Sequence, residues 1–367
     1  MFHKRLSYKF APDYLLLFLT LSLLLIGILM VYSSSHVWAD NKYADTFFYV
    51  KRQLLFAGLG IAAMFVTMVI PYMTWKKYAK ALLVACFILL ALVLIPHVGL
   101  VRGGARSWIG VGAFSIQPSE FMKLGLIIFL AFFLEKNHKY ITSFRKGFLP
   151  VILLVFTAFG LIMLQPDLGT GVVLVLTCFT MIFISGARLM HFIGLGIIGL
   201  GGFVYLIASA PYRISRISAF INPWEDPLGD GFQIIQSLYS IGPGGLMGVG
   251  FGNSLQKYFY LPEPQTDFIF AILGEELGFI GATFVIVLFV LFFWRGIKIA
   301  LDAPDHFARL LALGIVTMIT IQVMINISVV IGLIPVTGIT LPFLSYGGSS
   351  LTLTLCAVGI LLNISRY

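Results

Sequence analysis

Apolar residues run along the chain in blocks of about twenty, separated by short polar segments, from one end to the other. A helix that crosses a hydrocarbon core needs about 20 such residues. Ten windows qualify: roughly 13–34, 53–71, 78–96, 118–135, 148–164, 168–185, 189–209, 267–294, 307–331 and 345–364. No polar segment between them is long enough for a separate domain, so residues 1–367 read as one integral membrane domain. The predicted fold is an all-α polytopic membrane protein with ten transmembrane helices. The apolar run after Lys4, Arg5 and Lys9 is too long for the core of a signal peptide and is followed by further spans, so it reads as a retained anchor.

The connections differ in character. The longest, about 210–266, lies between the seventh and eighth predicted helices, and long loops of this kind are usually functional. Within it Phe232, Ile235, Leu238 and Tyr239 recur at helical spacing, which predicts a short amphipathic helix over 231–240 at the membrane interface. Glycine and proline around 243–252 suggest a loop that rearranges. From Asn326 to Ser350, Pro335 and Pro342 with Gly338, Gly347 and Gly348 break a helix at membrane depth. Such backbone is tolerated only where it is buried in protein or lines a cavity.

Composition sharpens this picture. The chain is 59% hydrophobic and 11% charged, against about 45–50% and 25% in soluble domains, which excludes a water-soluble fold. A net charge of +9 could suggest nucleic acid, but the basic residues sit in short clusters between apolar runs, without a basic stripe or zinc spacing, so no nucleic-acid partner is expected. Membrane topology explains them better, because Lys and Arg are retained on the cytoplasmic face. With both termini cytoplasmic, most of the 24 Lys and Arg fall on inner segments, while Asp40, Asp45, Asp167, Glu225, Asp226, Asp230, Glu263 and Asp267 fall outside. Arg213, Arg216 and Lys257 are among the outer basic residues, and the 210–266 loop is extracellular. Cys86, Cys178 and Cys356 all lie in apolar runs and the histidines are scattered, so neither a disulfide framework nor a protein-built metal site is expected.

Ionisable residues at membrane depth are functional candidates. Glu120 and Lys123 in QPSEFMK can meet on one helix face. Either they only neutralise each other, or they line a cavity where Lys123 meets an anionic ligand. Arg102 and Arg106 in VRGGARSW sit in a Gly-rich outer loop with Trp108, where backbone and guanidinium can hold a diphosphate; Arg102 also fits a solvated loop charge. Asp167 in QPDLGT suits a helix cap. Asp267 in LPEPQTDFIFAILGEELGF suits one too, but a carboxylate at a water–lipid boundary, under a long acidic and aromatic loop, can have a raised pKa and serve as a base. Glu275 and Glu276 follow about 12 Å deeper on different helix faces, so at most one shares the side of Asp267.

Taken together, GARSWIGVGAFSIQPSEFMK, QPDLGT, NPWEDPLGDGFQIIQSLYSIGPGGLMGVGFG, LPEPQTDFIFAILGEELG and the terminal PFLSYGGSS resemble the SEDS family (shape, elongation, division and sporulation) of bacterial polytopic proteins, over essentially the whole chain. YRISRISAFINPWEDP and the LPEPQTDF form are most similar to the sporulation members, and Gln265 stands where division members often have His. The resemblance implies a peptidoglycan glycosyltransferase of the bacterial cell membrane with an extracytoplasmic active site. It would polymerise lipid II, the undecaprenyl-diphosphate-linked disaccharide peptide, into glycan strands for spore cortex. Its partner would be a class B penicillin-binding protein transpeptidase that crosslinks them.

By motif match the family's essential aspartate falls on Asp267, and its important arginine and lysine on Arg106 and Lys123. Gln117, Glu120, Asp167, Glu263 and Ser345, in the same motifs, are candidate substrate-binding residues. The implied chemistry is an inverting displacement with Asp267 as general base; diphosphate leaves readily, so the second carboxylic acid of glycosidases is not required. No organic cofactor is implied, and a divalent cation, Mg or Mn, bound through the substrate diphosphate is compatible. A lipid II flippase is the alternative, since broken helices and intramembrane charges suit transport as well. It needs charged sites reachable from both faces, whereas these crowd the outer boundary. A scaffold that only recruits the partner would tolerate Asp267→Asn.

Overall fold

A helix occupies each of the ten apolar windows in the computed structural model, which describes residues 11–102, 105–111, 114–208, 218–229 and 231–367. The helices are α1 (Tyr14–Tyr43), α2 (Phe48–Val69), α3 (Tyr72–Leu94), α4 (Pro118–Lys136), α5 (Leu149–Met163), α6 (Leu168–Ile184), α7 (Leu189–Ala208), α8 (Phe232–Gly244), α9 (Ile269–Leu301), α10 (His306–Val330) and α11 (Gly348–Ile364). Among the described residues, six helical segments are long and apolar enough to cross a membrane, and α6 and α11 are shorter apolar helices. Lys4, Arg5, Lys9, Arg213, Arg216 and Asp230 lie outside the described residues.

Carboxylates start several helices, as their short acceptors satisfy the first free N–H groups. Asp13 accepts from Leu16 N at the start of α1 (2.9 Å), and Asp305 from Ala308 N at the start of α10 (2.8 Å). α1 runs nine residues past its predicted end at 34, to Tyr43. The reason is that Ser33, Ser34 and Ser35, which look like a polar stop, are fully buried, and the hydroxyl of Ser35 donates back to Val31 O (2.6 Å).

The expected all-α fold needs one correction. Between α3 and α4, strands β1 (Gly99–Arg102), β2 (Ala105–Val111) and β3 (Phe114–Ile116) form an antiparallel sheet in the order β1-β2-β3. The segment is too short and too rich in glycine for a helix, and its alternation suits a pleat. Ser107 and Ser115 are buried on it.

α10 is the most enclosed of the six candidate spans, with 61% of its apolar window buried. It packs against α4, α6 and α9, while α2 packs along α11 and α3 along α4. Gly359 permits the α2–α11 approach: a Cβ there would lie 2.0 Å from Thr67 Oγ1 and 2.3 Å from the Met64 carbonyl oxygen.

α9 is broken at Gly278, where the backbone is left-handed (φ 66°, ψ −167°). The break frees backbone groups that lipid cannot satisfy, and the segment after α8 supplies the partners. Val249 N and Gly250 N donate to the carbonyls of Glu275 and Glu276, both at 3.0 Å, while Phe279 N and Ile280 N donate to Gly245 O (2.9 Å) and Leu246 O (3.2 Å). A Cβ on Gly278 would sit 2.3 Å from Gly248 N, so no larger residue fits.

Side chains reinforce this splice. Glu275 accepts from Leu255 N (2.8 Å) and the hydroxyls of Ser254 (2.5 Å) and Ser240 (3.2 Å). Glu276 accepts from the Ser33 hydroxyl (2.6 Å) and pairs with the Lys257 ammonium (3.3 Å), which also donates to Gly252 O. The 243–252 segment that reads as free to rearrange is therefore pinned. Lys257, which reads as an outer-loop charge, is fully buried.

The predicted loop helix exists as α8, but its inward stripe is Ile234, Ile235, Ser237 and Ser240, while Leu238 and Tyr239 point outward. Hydrogen bonds decide this rotation: Ser237 donates to Val330 O (2.7 Å) and Ser240 to Glu275.

Candidate functional site

The sheet, the N-terminal ends of α2, α4 and α6, the turn before α9 and the irregular segment between α10 and α11 surround a cavity of about 480 Å³. That last segment, residues 331–347, is where Pro335, Pro342 and the glycines predict a broken, cavity-lining backbone, and Val336 to Thr340 do line it. Gln117, Glu120, Lys123, Asp167, Glu263 and Asp267, spread over three motifs, all reach this one cavity.

α4 brings two of them. It begins at Pro118, whose missing N–H costs nothing at that position, with Gln117 at its cap and Glu120 in its first turn. Glu120 and Lys123 form an ion pair at 2.8 Å with side-chain exposures of only 8% and 3%. The charges neutralise each other, and the same two side chains line the cavity. An ammonium carries three N–H donors, so two of Lys123 stay available after one bond to Glu120. Asp167 accepts from Thr170 N (3.1 Å) as the α6 cap, and also from Gln117 Nε2 (2.8 Å) and the Ser119 hydroxyl (3.3 Å).

Asp267 sits in the turn just before α9, held through its backbone. Asn326 Nδ2 donates to Asp267 O (2.8 Å) and to Ile339 O (2.7 Å), tying the turn to α10 and to the broken segment. The Ser345 hydroxyl donates to Thr266 O (2.6 Å), and Tyr346 N to Gln265 O (2.8 Å). Glu263 and Phe343, on the two segments that meet here, have left-handed backbones (φ 43° and 68°), a conformation that persists only where surroundings enforce it.

The Asp267 carboxylate itself takes no hydrogen bond among the described residues. Burial first, and the nearby Glu263 charge second, push it up to about 7. A carboxyl in that range can take a proton near neutral pH. Glu275 and Glu276 do not line the cavity; both are committed to the splice with residues 245–257.

Two candidates stand elsewhere. Arg106 is not among the lining residues; it lies on β2 next to Ser107, and its stem covers Gly99, where a Cβ would meet Arg106 Cγ at 2.8 Å. Ser345 is also outside the lining and acts on Asp267 through the backbone of Thr266. Several lining residues, Arg52, Gln322 and Thr337 among them, have no counterpart in the sequence reading of the site. Arg52 places its guanidinium 4.1 Å from the centre of the Phe48 ring, and from sequence it looks like any loop charge. Gln322 and Thr337 also face the cavity, and the available signal for Gln322 is a second amide one turn from Asn326 in an apolar helix.

The chain matches the FtsW/RodA/SpoVE family model, described as cell cycle protein, over residues 14–367. The chain belongs to the FtsW/RodA/SpoVE family. It is 67% identical to Stage V sporulation protein E of Bacillus subtilis (strain 168), over 98% of each chain. It is 43% identical to a probable peptidoglycan glycosyltransferase FtsW of Geobacter sp. (strain M18), over 96% of each. Among solved structures it resembles a chain of a peptidoglycan synthase complex that coordinates polymerization and crosslinking, with a TM-score of 0.80 and 33% identity, covering 97% of this chain and 98% of that one. The rod shape determining protein RodA of Thermus thermophilus aligns with a TM-score of 0.73 and 31% identity over 97% of each chain. The family resemblance read from the motifs is thereby borne out, as is a multi-pass membrane protein.

Proposed function

We propose that this chain, a peptidoglycan glycosyltransferase by family, polymerises lipid II into glycan strands with Asp267 as general base. The observation that carries the reading is a carboxylate without a hydrogen-bond donor among the described residues, raised to about 7, in a cavity it shares with the Lys123–Glu120 pair. The 4-hydroxyl oxygen of the acceptor attacks C1 of the donor sugar from the face opposite the diphosphate. The C1–O bond breaks, its electron pair leaves on undecaprenyl diphosphate, and the hydroxyl proton moves to Asp267. Configuration inverts once, so one base suffices.

Negative charge grows on the leaving diphosphate, and Lys123 and Arg52 are placed in the same cavity to offset it. Gln117, Asp167 and Glu263 complete the polar wall, while Arg106 supports the sheet from outside it. Among the described residues no group of three or more His, Cys, Asp or Glu side chains can hold a metal. A divalent cation, Mg or Mn, bound through the substrate diphosphate would need no such cage. Ten membrane spans with cytoplasmic termini put the cavity at the extracytoplasmic face, in keeping with the basic residues on the inner segments. Similarity to a chain from a complex that coordinates polymerization with crosslinking supports a class B penicillin-binding protein as partner. The Bacillus subtilis relative supports a role in spore cortex synthesis.

The test is glycan formation from purified lipid II by the protein with its penicillin-binding partner, comparing wild type with Asp267→Asn at matched amounts. Polymer from the wild type alone is expected. Equal polymer from both refutes the base assignment, and lipid II translocation without any polymer supports a flippase instead.

A further inference from the structure

We infer that Gln322 and Thr337 form a subsite for the acetamido group of the acceptor sugar, an inference that rests on the polymerase reading. Gln322 lies on α10, lines the cavity and is only 2% exposed, yet its amide oxygen has no hydrogen-bond partner among the described residues. The buried hydroxyl of Thr337, which lines the same cavity, has none either. Buried polar groups are nearly always paired, so two unpaired ones lining one cavity mark a place where a ligand completes the bonding.

Both groups are tied to the frame that holds Asp267. Asn326, one helical turn from Gln322, donates to Asp267 O and to Ile339 O, and Thr337 is two residues before Ile339. The Thr337 backbone is pressed against α6, where a Cβ on Gly169 would meet Thr337 O at 2.5 Å. Gln322, Thr337 and Asp267 therefore keep a fixed relation, and a sugar that presents one hydroxyl to Asp267 meets the pair with another part of the same ring.

The chemistry of that part follows from the groups. A primary amide offers a donor and an acceptor side by side in one plane, and rotation about its terminal bond presents either order. Its full complement is another amide, with N–H and C=O adjacent, and a threonine hydroxyl beside it can serve whichever end is left over. A lone sugar hydroxyl satisfies only part of this set. A phosphate is poorly served by two uncharged groups when Lys123 and Arg52 line the same cavity. In an N-acetylated amino sugar the amide is the 2-acetamido group, on the ring whose 4-hydroxyl reacts.

A site built to hydrogen-bond a substrate group rejects the analogue that lacks it. The experiment is single-round coupling of a lipid II donor to lipid II or to an acceptor analogue whose terminal acetamido is replaced by hydroxyl. Wild type, Gln322→Leu and Thr337→Val are compared, with Gln322→Met as a second variant of similar volume. Wild type is expected to lose about 10- to 100-fold in kcat/KM on the analogue, the factor that a buried polar group left unpaired corresponds to. Gln322→Leu and Gln322→Met should lose a similar factor on native acceptor and discriminate by no more than about threefold, with Thr337→Val in between. Variants that are slower but keep the full wild-type discrimination overturn the subsite, since a merely structural defect slows both acceptors alike. A wild type that makes no product from lipid II overturns the polymerase reading and the subsite together.

Discussion

Asp267 sets stability against activity, and Asp267→Asn exposes the conflict. On folding, burial and then the Glu263 charge raise this carboxyl from 3.8 to about 7. A group raised in this way binds its proton more tightly in the folded protein, so its stabilisation is complete below about 3.8 and is lost as pH rises through about 7. At about 1.4 kcal/mol per pH unit the full rise corresponds to about 4 kcal/mol. Water in the cavity screens the carboxylate, and about 1–3 kcal/mol is the expected effect. Asn keeps the shape of the neutral acid. The variant should therefore make no polymer and yet melt several degrees above wild type at pH 8, with a much smaller difference at pH 5. The wild-type rate should follow the ionised fraction, rising about tenfold per pH unit below 7 and levelling off above it. Melting in detergent micelles at both pH values, with polymerisation followed from pH 5.5 to 8.5, reads both effects. A variant no more stable than wild type at pH 8, or a rate flat between pH 5.5 and 7, would refute the reasoning.

Other perturbations address the rest of the frame. Lys257→Met strands Glu276 without its cation and should cost about 3–5 kcal/mol, most of which Lys257→Met with Glu276→Gln should restore; melting of the single and double variants measures this. Gly359→Leu forces a side chain into Thr67 and the Met64 backbone and should lower the melting temperature by parting α2 from α11. Lys123→Ala should slow single-round transfer about 10²- to 10³-fold and Arg52→Ala by less, because Lys123 is the more deeply buried of the two. Equal rates for either variant and wild type would remove that residue from the leaving-group site.

Apolar run length made the helices legible, since a span needs the same stretch of residues whatever surrounds it. What escaped depended on partners distant in sequence. The strands at 99–116 look like a glycine-rich loop until cross-strand pairing is known, and Ser33 to Ser35 look like the end of α1 until Glu276 appears opposite Ser33. Charge alone placed Lys257 in the loop, because nothing local signals that a carboxylate 19 residues on will bury it. Within the site, motif membership singled out Gln117, Glu120, Lys123, Asp167, Glu263 and Asp267, and the structure sets all six around one cavity. It could not say which motif residues face away. Strand alternation turns Arg106 from the face of Ser107, and a backbone hydrogen bond occupies Ser345. Arg52 and Gln322 went unread because each is a common residue type in an unremarkable local setting.

The break at Gly278 also bears on how the protein meets bilayers of different thickness. As one rod, the 33 residues of α9 would reach about 50 Å, well beyond a hydrocarbon core of about 30 Å. Divided, the part after Gly278 is about 35 Å long and matches the core with a modest tilt, while the part before it is clamped to residues 245–257. Lengthening or shortening the lipid chains should then tilt the part of α9 after Gly278 without moving the turn that carries Asp267. A helix that lies partly in lipid thus ends in a segment whose position is set by protein alone.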